Sequence, residues 1–235
     1  MSDQNARIFV VVPAAGTGER FGPGIVKQYA DLNGAPVLAR TLDRLAVIPS
    51  ERTFVALTAD DGEYERRIGR RDGVEVLRCG GATRAATVRG AMTALMSHCA
   101  PNDWVLVHDA VRPCVPRDAL HRLIDELVDD AVGGLLAIPV TDTLKRGVGD
   151  RAMNTENRES LWQAQTPQMF RYSILATALD RGNRAALTDE AQAVETLATT
   201  GACPPPRLVH GSATNLKITY AEDLALAAAI LGMQA

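Results

Sequence analysis

No uninterrupted apolar run in the chain approaches the roughly 18 residues that cross a bilayer; even LALAAAILG near its end is short and alanine-rich. A soluble protein without membrane contact is expected. The opening MSDQNAR carries an acid and an amide where an export signal needs a basic start and an apolar block, so a cytoplasmic location is expected. Basic excess is missing too: 25 Lys and Arg against 28 Asp and Glu leave a net charge of −3 and a pI near 5.8. Bulk charge therefore does not hold this chain on nucleic acid, and any anion it binds must meet a local basic site. The few cysteines, Cys79, Cys99, Cys114 and Cys203, show no C-x-x-C spacing and sit in or beside apolar segments. Neither a zinc site nor a disulfide framework is supported, and they are read as reduced core residues.

What is present is an ordinary globular composition, 46% hydrophobic and 23% charged over 235 residues, which excludes disorder, collagen-like repetition and coiled coil. Against a soft prior of roughly 150 residues per domain, one large domain over 1–235 is expected. RIFVVV at Arg7 to Val12 is a short β-branched run cut off by Pro13 and followed by a glycine-rich loop, the mark of a buried strand. Leu38, Leu42 and Leu45 predict a helix; TFVALT at Thr53 to Thr58 a strand; Asp60 to Arg71 a charged helix; and VEVLR at Val74 to Arg78 a strand. The alternation continues with a helix through Val88 and Leu95, the strand DWVLV, an amphipathic helix opened by Pro116, and the strand GLLAIPV. Such alternation implies right-handed crossovers and a doubly wound, mostly parallel α/β sheet of Rossmann-like type. Between Thr141 and Trp162 the pattern turns polar around Gly147 and Gly149, which predicts a protruding β-arm at about 141–162 that packs on a second subunit or lies on the surface. Helices resume at Tyr172 to Arg181 and Asp189 to Thr199, then strand segments at Leu208 to His210 and Leu216 to Thr219, then a closing helix.

The loop PAAGTGERFGPGIVKQY follows strand one, where open α/β sheets place ligands. Gly16, Gly18 and Gly22 stand one residue off the dinucleotide fingerprint, the next helix is delayed past Gly34, and no G-K-[ST] follows, so neither a Rossmann fingerprint nor a P-loop fits. Backbone N–H groups beside Arg20 and Lys27 suit a polyphosphate, although a solvated surface loop would look the same. In HDAVRP, Asp109 ends a strand as a Mg²⁺ bridging phosphates would require, or pairs with Arg112 in a turn; His108 points to the opposite face and reads as a core residue. PVTDTLK offers Thr141, Asp142, Thr143 and Lys145 to a second anion, or caps a turn. In LTDEA, Thr188 or Asp189 is a helix N-cap or a ligand contact. NLKIT places Lys217 in a short apolar strand, where a cation is unusual unless it projects into a site. Arg158 and Thr166 lie near the arm without a role of their own.

In order and spacing, PAAGTGERFG with KQY, GGATRAATVRG, HDAVRP, PVTDTLK, LWQAQTPQMF, TDEA and NLKIT with EDLALA resemble the 2-C-methyl-D-erythritol 4-phosphate cytidylyltransferases, from about Ile8 to Leu231. The resemblance implies a homodimer joined by a β-arm, CTP and 2-C-methyl-D-erythritol 4-phosphate as substrates, Mg²⁺ as cofactor, and release of pyrophosphate. It implies that Arg20 and Lys27 stabilise the triphosphate and transition state. Pro13, Ala14, Ala15 and Gly16 form a backbone wall for the nucleotide, with Gly81 and Thr87 near the cytosine and Asp109 as metal ligand. Arg112, Thr141, Arg158, Thr166, Thr188 and Lys217 then hold the methylerythritol phosphate, with Lys217 also in the catalytic set. The chain departs from the family at Val26 and Ala221, where proline is usual, and at Ala213, Thr214 and Asn215, where some members carry a second metal-binding aspartate.

The attacking group of such a reaction is a phosphate monoester, largely dianionic at neutral pH, so no general base is required and a shortage of candidate catalytic histidines is expected. Positioning and cationic stabilisation supply the rate. A cytidylyltransferase for another polyol phosphate such as ribitol 5-phosphate shares everything except the acceptor pocket. A dinucleotide-dependent oxidoreductase fits poorly, and a nucleotide-binding module without turnover is the remaining alternative.

Overall fold

A computed structural model describes residues 6–16, 21, 26–181 and 187–234. The chain runs through β1 (Ile8–Pro13), a 3₁₀ turn at Lys27–Tyr29, the small hairpin β2 (Asp31–Leu32) and β3 (Ala35–Pro36), and helix α1 (Val37–Leu45). It continues with β4 (Arg52–Ala56), α2 (Glu63–Arg67), β5 (Val74–Leu77), α3 (Arg84–Leu95), β6 (Trp104–Val107), α4 (Arg117–Leu127) and β7 (Gly133–Pro139). Then follow β8 (Leu144–Val148), β9 (Arg151–Glu156), β10 (Trp162–Arg171), α5 (Tyr172–Arg181), α6 (Glu190–Ala198), β11 (Arg207–His210) and α7 (Asp223–Met233).

The main sheet has the order β11-β7-β10-β6-β1-β4-β5. β6, β1, β4 and β5 are mutually parallel, as are β7 and β11, while β10 lies antiparallel between β6 and β7. Helices cover both faces, which is why β1 is apolar at successive positions rather than at alternate ones. Val10 and Val12 pack with Leu38, Leu42, Leu120 and Leu123 of α1 and α4; Phe9 and Val11 pack with Val88, Leu95, Leu175 and Val194 of α3, α5 and α6. From β1 the chain winds one way to β4 and β5 and later returns to the other side as β6. That reversal opens a crevice at the carboxyl ends of β1 and β6, where ligands bind in open α/β sheets.

Three elements differ from the sequence expectation. Strand β10 was not foreseen: Pro167 and the glutamines at 163, 165 and 168 hide its period, and its pairing with β7 shifts register between Ala164 and Gln168. The helix expected over Asp60 to Arg71 shrinks to α2, bounded by Gly62 and by Gly69 at φ +71°. Leu216 to Thr219 forms no strand; Ile218 donates to the Val111 carbonyl (2.9 Å) and is buried in a third apolar cluster with Leu32, Val37 and Ala227. β8 and β9 make an exposed two-stranded hairpin within the expected arm, turning at Gly149 (φ +60°).

Candidate functional site

The first cleft, of about 570 Å³, lies at the carboxyl ends of β1, β4 and β6. Pro13 ends β1, and Ala14, Ala15 and Gly16 form one wall. Ala14 stays in sheet register by donating its N–H to the Ala56 carbonyl (2.8 Å), while its own carbonyl accepts from Gln28 Nε2 (2.8 Å). The 3₁₀ turn that carries Gln28 thereby brings Lys27 to the cleft. Gly80 and Gly81 form the facing wall. A Cβ on Gly80 would stand 2.5 Å from Ala15 Cβ and 2.8 Å from the Leu57 carbonyl, so the two loops touch only because this residue is glycine. The Gly81 N–H donates to Thr87 Oγ (3.1 Å), and the same hydroxyl donates to the Thr83 carbonyl (3.1 Å). Thr87 is buried, so its hydroxyl shapes the loop from beneath. Arg20, with Gly18 and Gly22, lies outside the described residues.

Asp109 stands at the back of this cleft, two residues beyond β6, amid three cations. Arg84 Nε donates to Oδ1 (2.9 Å), Lys217 Nζ lies 2.8 Å from Oδ2, and Arg112 Nε lies 3.6 Å from Oδ2. Burial disfavours the charged form of Asp109, but Arg84, Lys217 and Arg112 outweigh it and hold the carboxyl well below the usual range. Arg84 also makes a bidentate pair with Glu190, at 2.6 and 2.9 Å. Burial opposes its charge as well, and the two carboxylates reverse the effect and raise its pKa.

A second cleft, of about 170 Å³, shares Arg84, Asp109 and Lys217 with the first and adds Arg112, Thr166 and Thr188. Arg112 Nη1 is fixed by the Asn215 carbonyl (2.6 Å), and Asn215 Nδ2 donates to the Thr166 carbonyl (2.8 Å) and Gln165 Oε1 (3.1 Å). Thr166 Oγ accepts the Asp109 backbone N–H (3.0 Å) and contacts His108 Nδ1 (3.1 Å). His108 Nε2 lies 3.0 Å from the Arg112 carbonyl, which can only accept, so Nε2 carries the ring proton and Nδ1 accepts from Thr166. Burial pushes the His108 pKa down to about 4, so the ring is neutral near pH 7 with both nitrogens engaged. Asp189, not Thr188, caps α6 by accepting from the Gln192 N–H (2.9 Å). Thr141 and Arg158 line neither cleft; the Arg158 guanidinium instead donates to the Thr141 carbonyl near the base of the hairpin.

Asp109 and Arg112 pair, as a turn reading of HDAVRP expects, and both also line the smaller cleft. The sequence reading missed Arg84, Glu190, Gln28 and Gln168. One signal was available: Arg84 opens α3, and a cation at the positive end of a helix is unfavourable unless carboxylates face it. Among the described residues, no group of three or more His, Cys, Asp or Glu is placed to hold a metal ion, and Asp109 is the one carboxylate lining the first cleft. A single ionised carboxylate fits a hard cation that takes its other ligands from phosphates and water.

The family model for 2-C-methyl-D-erythritol 4-phosphate cytidylyltransferase (IspD) matches residues 8–233. A protein of that name from Laribacter hongkongensis is 53% identical over 231 residues, covering 97% of this chain and 97% of the relative. One from Thiobacillus denitrificans is 48% identical over 235 residues, covering 96% and 98%. Among solved structures, a 4-diphosphocytidyl-2C-methyl-D-erythritol synthase superposes with a TM-score of 0.84 at 36% identity, covering 97% of this chain and 99% of that one. The Francisella tularensis cytidylyltransferase gives 0.80 at 32% identity, covering 96% and 100%.

Proposed function

The chain belongs to the 2-C-methyl-D-erythritol 4-phosphate cytidylyltransferase family, and from that premise we propose how its two clefts divide the reaction. The activity is transfer of CMP from CTP to 2-C-methyl-D-erythritol 4-phosphate, with release of pyrophosphate. A ribitol 5-phosphate acceptor is not favoured, because relatives at 48% and 53% identity over nearly the whole chain carry the methylerythritol name. The larger cleft takes CTP: Pro13, Ala14, Ala15 and Gly16 on one side and Gly81 with Thr87 on the other enclose the nucleotide, and Arg20 and Lys27 neutralise the triphosphate. The smaller cleft takes the acceptor's phosphate between Arg112, Thr166, Thr188 and Lys217. Thr141 and Arg158 belong to this acceptor set by resemblance; their place near the hairpin base suits delivery across a dimer.

The observation that carries this reading is the wall common to both clefts. Arg84, Asp109 and Lys217 line both clefts, which supports setting the meeting of the two polyanions there. An oxygen of the acceptor phosphate attacks the α-phosphorus of CTP, and the bond to the pyrophosphate oxygen breaks. The nucleophile is already ionised, since its second pKa lies near 6. His108, the histidine nearest this wall, is neutral and fully engaged, which agrees with a reaction that needs no base. Lys27, Arg20 and Lys217 hold charge that grows on the α-phosphoryl oxygens. Asp109 would hold Mg²⁺ beside the triphosphate, and a bound ion would supply further positive charge to the phosphate oxygens.

The chain works as one domain whose hairpin joins two copies. An isolated two-stranded hairpin is marginal, and Val148 and Met153 on it are 69% and 64% exposed, apolar surface that a partner subunit covers. Among the described residues no helix is long and apolar enough to cross a membrane, and the reading places the enzyme in the cytoplasm. The test is pyrophosphate release from CTP and Mg²⁺ with each polyol phosphate in turn. Release with methylerythritol phosphate alone is expected, and Lys27→Ala lowers turnover by about two orders of magnitude. Unchanged turnover in that variant removes the assigned role.

A further inference from the structure

Glu190 has no part in the roles given above, yet at 1% exposure it is more deeply buried than Asp109. Both its oxygens are taken by Arg84, Oε1 by Nη1 (2.6 Å) and Oε2 by Nη2 (2.9 Å), while Arg84 Nε holds Asp109 Oδ1 (2.9 Å). One planar guanidinium therefore spans two carboxylates from two different elements. Bonded along one edge and at Nε, it has little freedom to rotate. Arg84 is the first residue of α3, directly after the Gly81–Thr83 wall of the larger cleft; Glu190 is the first residue of α6, directly after Thr188 and Asp189 of the smaller one.

We propose that Glu190 is a positioning residue of the transfer site: through Arg84 it fixes the Asp109 carboxylate and locks the walls of the two clefts in one register. The proposal rests on the reading that transfer takes place where the clefts join. In-line attack tolerates little misplacement, and a shift of about 1 Å costs on the order of 10²-fold in rate. Both helix ends have anchors besides this pair. Thr83 caps α3, and Gln168 ties α6 to β10 by donating to Asp189 Oδ2 (2.9 Å) and accepting from the Ala191 N–H (2.7 Å). Removing the Glu190 charge thus loosens the register without releasing either helix.

Three single variants and one double variant test this in the full-length enzyme. Glu190→Gln keeps the volume but turns an amide N–H₂ toward the guanidinium; Arg84→Lys keeps the charge but cannot span both carboxylates; Asp109→Asn checks the site reading itself. Steady-state kinetics with each substrate varied, CTP binding by calorimetry and thermal unfolding are measured for each. Glu190→Gln and Arg84→Lys are each expected to lower kcat/KM by about 10²-fold and raise KM for both substrates in a folded protein, and the double variant to be no worse than the worse single. The proposal is overturned if Asp109→Asn is impaired while a folded Glu190→Gln stays within about twofold of the parent, or if the double loss is the product of the singles. If Glu190→Gln does not fold, Arg84→Lys decides on the same criterion. Full turnover in Asp109→Asn would overturn the site reading and this proposal with it.

Discussion

His108 makes the fold acid-sensitive within a defined window. Its unfolded pKa is about 6.5, and burial holds it at about 4 in the folded chain. Above pH 6.5 the ring is neutral in both states and stability is unaffected. Below it the unfolded chain binds a proton that the folded chain refuses, so stability falls as pH falls and the loss is complete below about 4. At about 1.36 kcal/mol per unit, the loss is about 2 kcal/mol by pH 5 and levels near 3 kcal/mol, a large part of a net stability of roughly 5–15 kcal/mol. The assay is urea unfolding at fixed protein concentration between pH 7.5 and 4.5, comparing the parent with His108→Gln, which can still donate toward the Arg112 carbonyl but cannot titrate. The variant starts less stable at neutral pH, and the gap is expected to close by about 2 kcal/mol on going to pH 5. Parallel stability curves across that range refute the reasoning.

Gly133 sits at φ +116°, and a Cβ there would penetrate the Met169 carbonyl of the adjacent strand, so Gly133→Ala should cost about 3 kcal/mol or more. Calorimetry should show Tm falling by about 6–12 °C, and a fall of a degree or two contradicts the packing argument. Gln28→Leu leaves the Ala14 carbonyl without its buried donor, at about 1–3 kcal/mol, and frees the loop that walls the larger cleft. KM for CTP should therefore rise more than KM for the acceptor; the reverse order would move the nucleotide elsewhere. Burial pushes the Cys99 thiol up to about 12 and the Cys114 thiol up to about 11. Both should resist iodoacetamide at pH 8 in the native protein and react at once in denaturant, as peptide mapping can read.

The parallel half of the sheet was legible because its strands are buried on both faces and so appear as unbroken apolar runs cut by glycine or proline. Asp109 was legible for a related reason: a carboxylate directly after such a run must lie at the carboxyl edge of the sheet. β10 was not, since an antiparallel strand interrupted by Pro167 and carrying three glutamines mimics a loop. Gln163 is exposed, but the other two are buried and do structural work inside the protein, Gln168 on α6 and Gln165 on Ser212 and Asn215. Lys217, expected to project into a site from a strand, lines both clefts from an irregular segment anchored by the buried Ile218. The Arg84–Glu190 pair lay out of reach because its partners are 106 residues apart and only the finished fold places two helix ends together.

The three cations around Asp109 differ in how far they can answer to a ligand. Arg84 is held by two carboxylates and Arg112 is 11% exposed with one nitrogen on a backbone carbonyl, so neither can turn without breaking buried bonds. Lys217 is 43% exposed and meets Asp109 through a single ammonium contact on a flexible stem. Its partner Asp109 is buried, but the half-exposed ammonium keeps part of its hydration and a mobile stem, so of the three cations it is the one that can turn toward an arriving phosphate. Asp109 and Glu190 set two carboxylates against Arg84, Arg112 and Lys217, and Asp189 adds a third to the lining of the smaller cleft, so the clustered cations are held in place by buried counter-charge. Under the proposed division of the clefts, the arginines would set the geometry of the wall and Lys217, which lines both clefts beside Arg84, would be the group that changes partner.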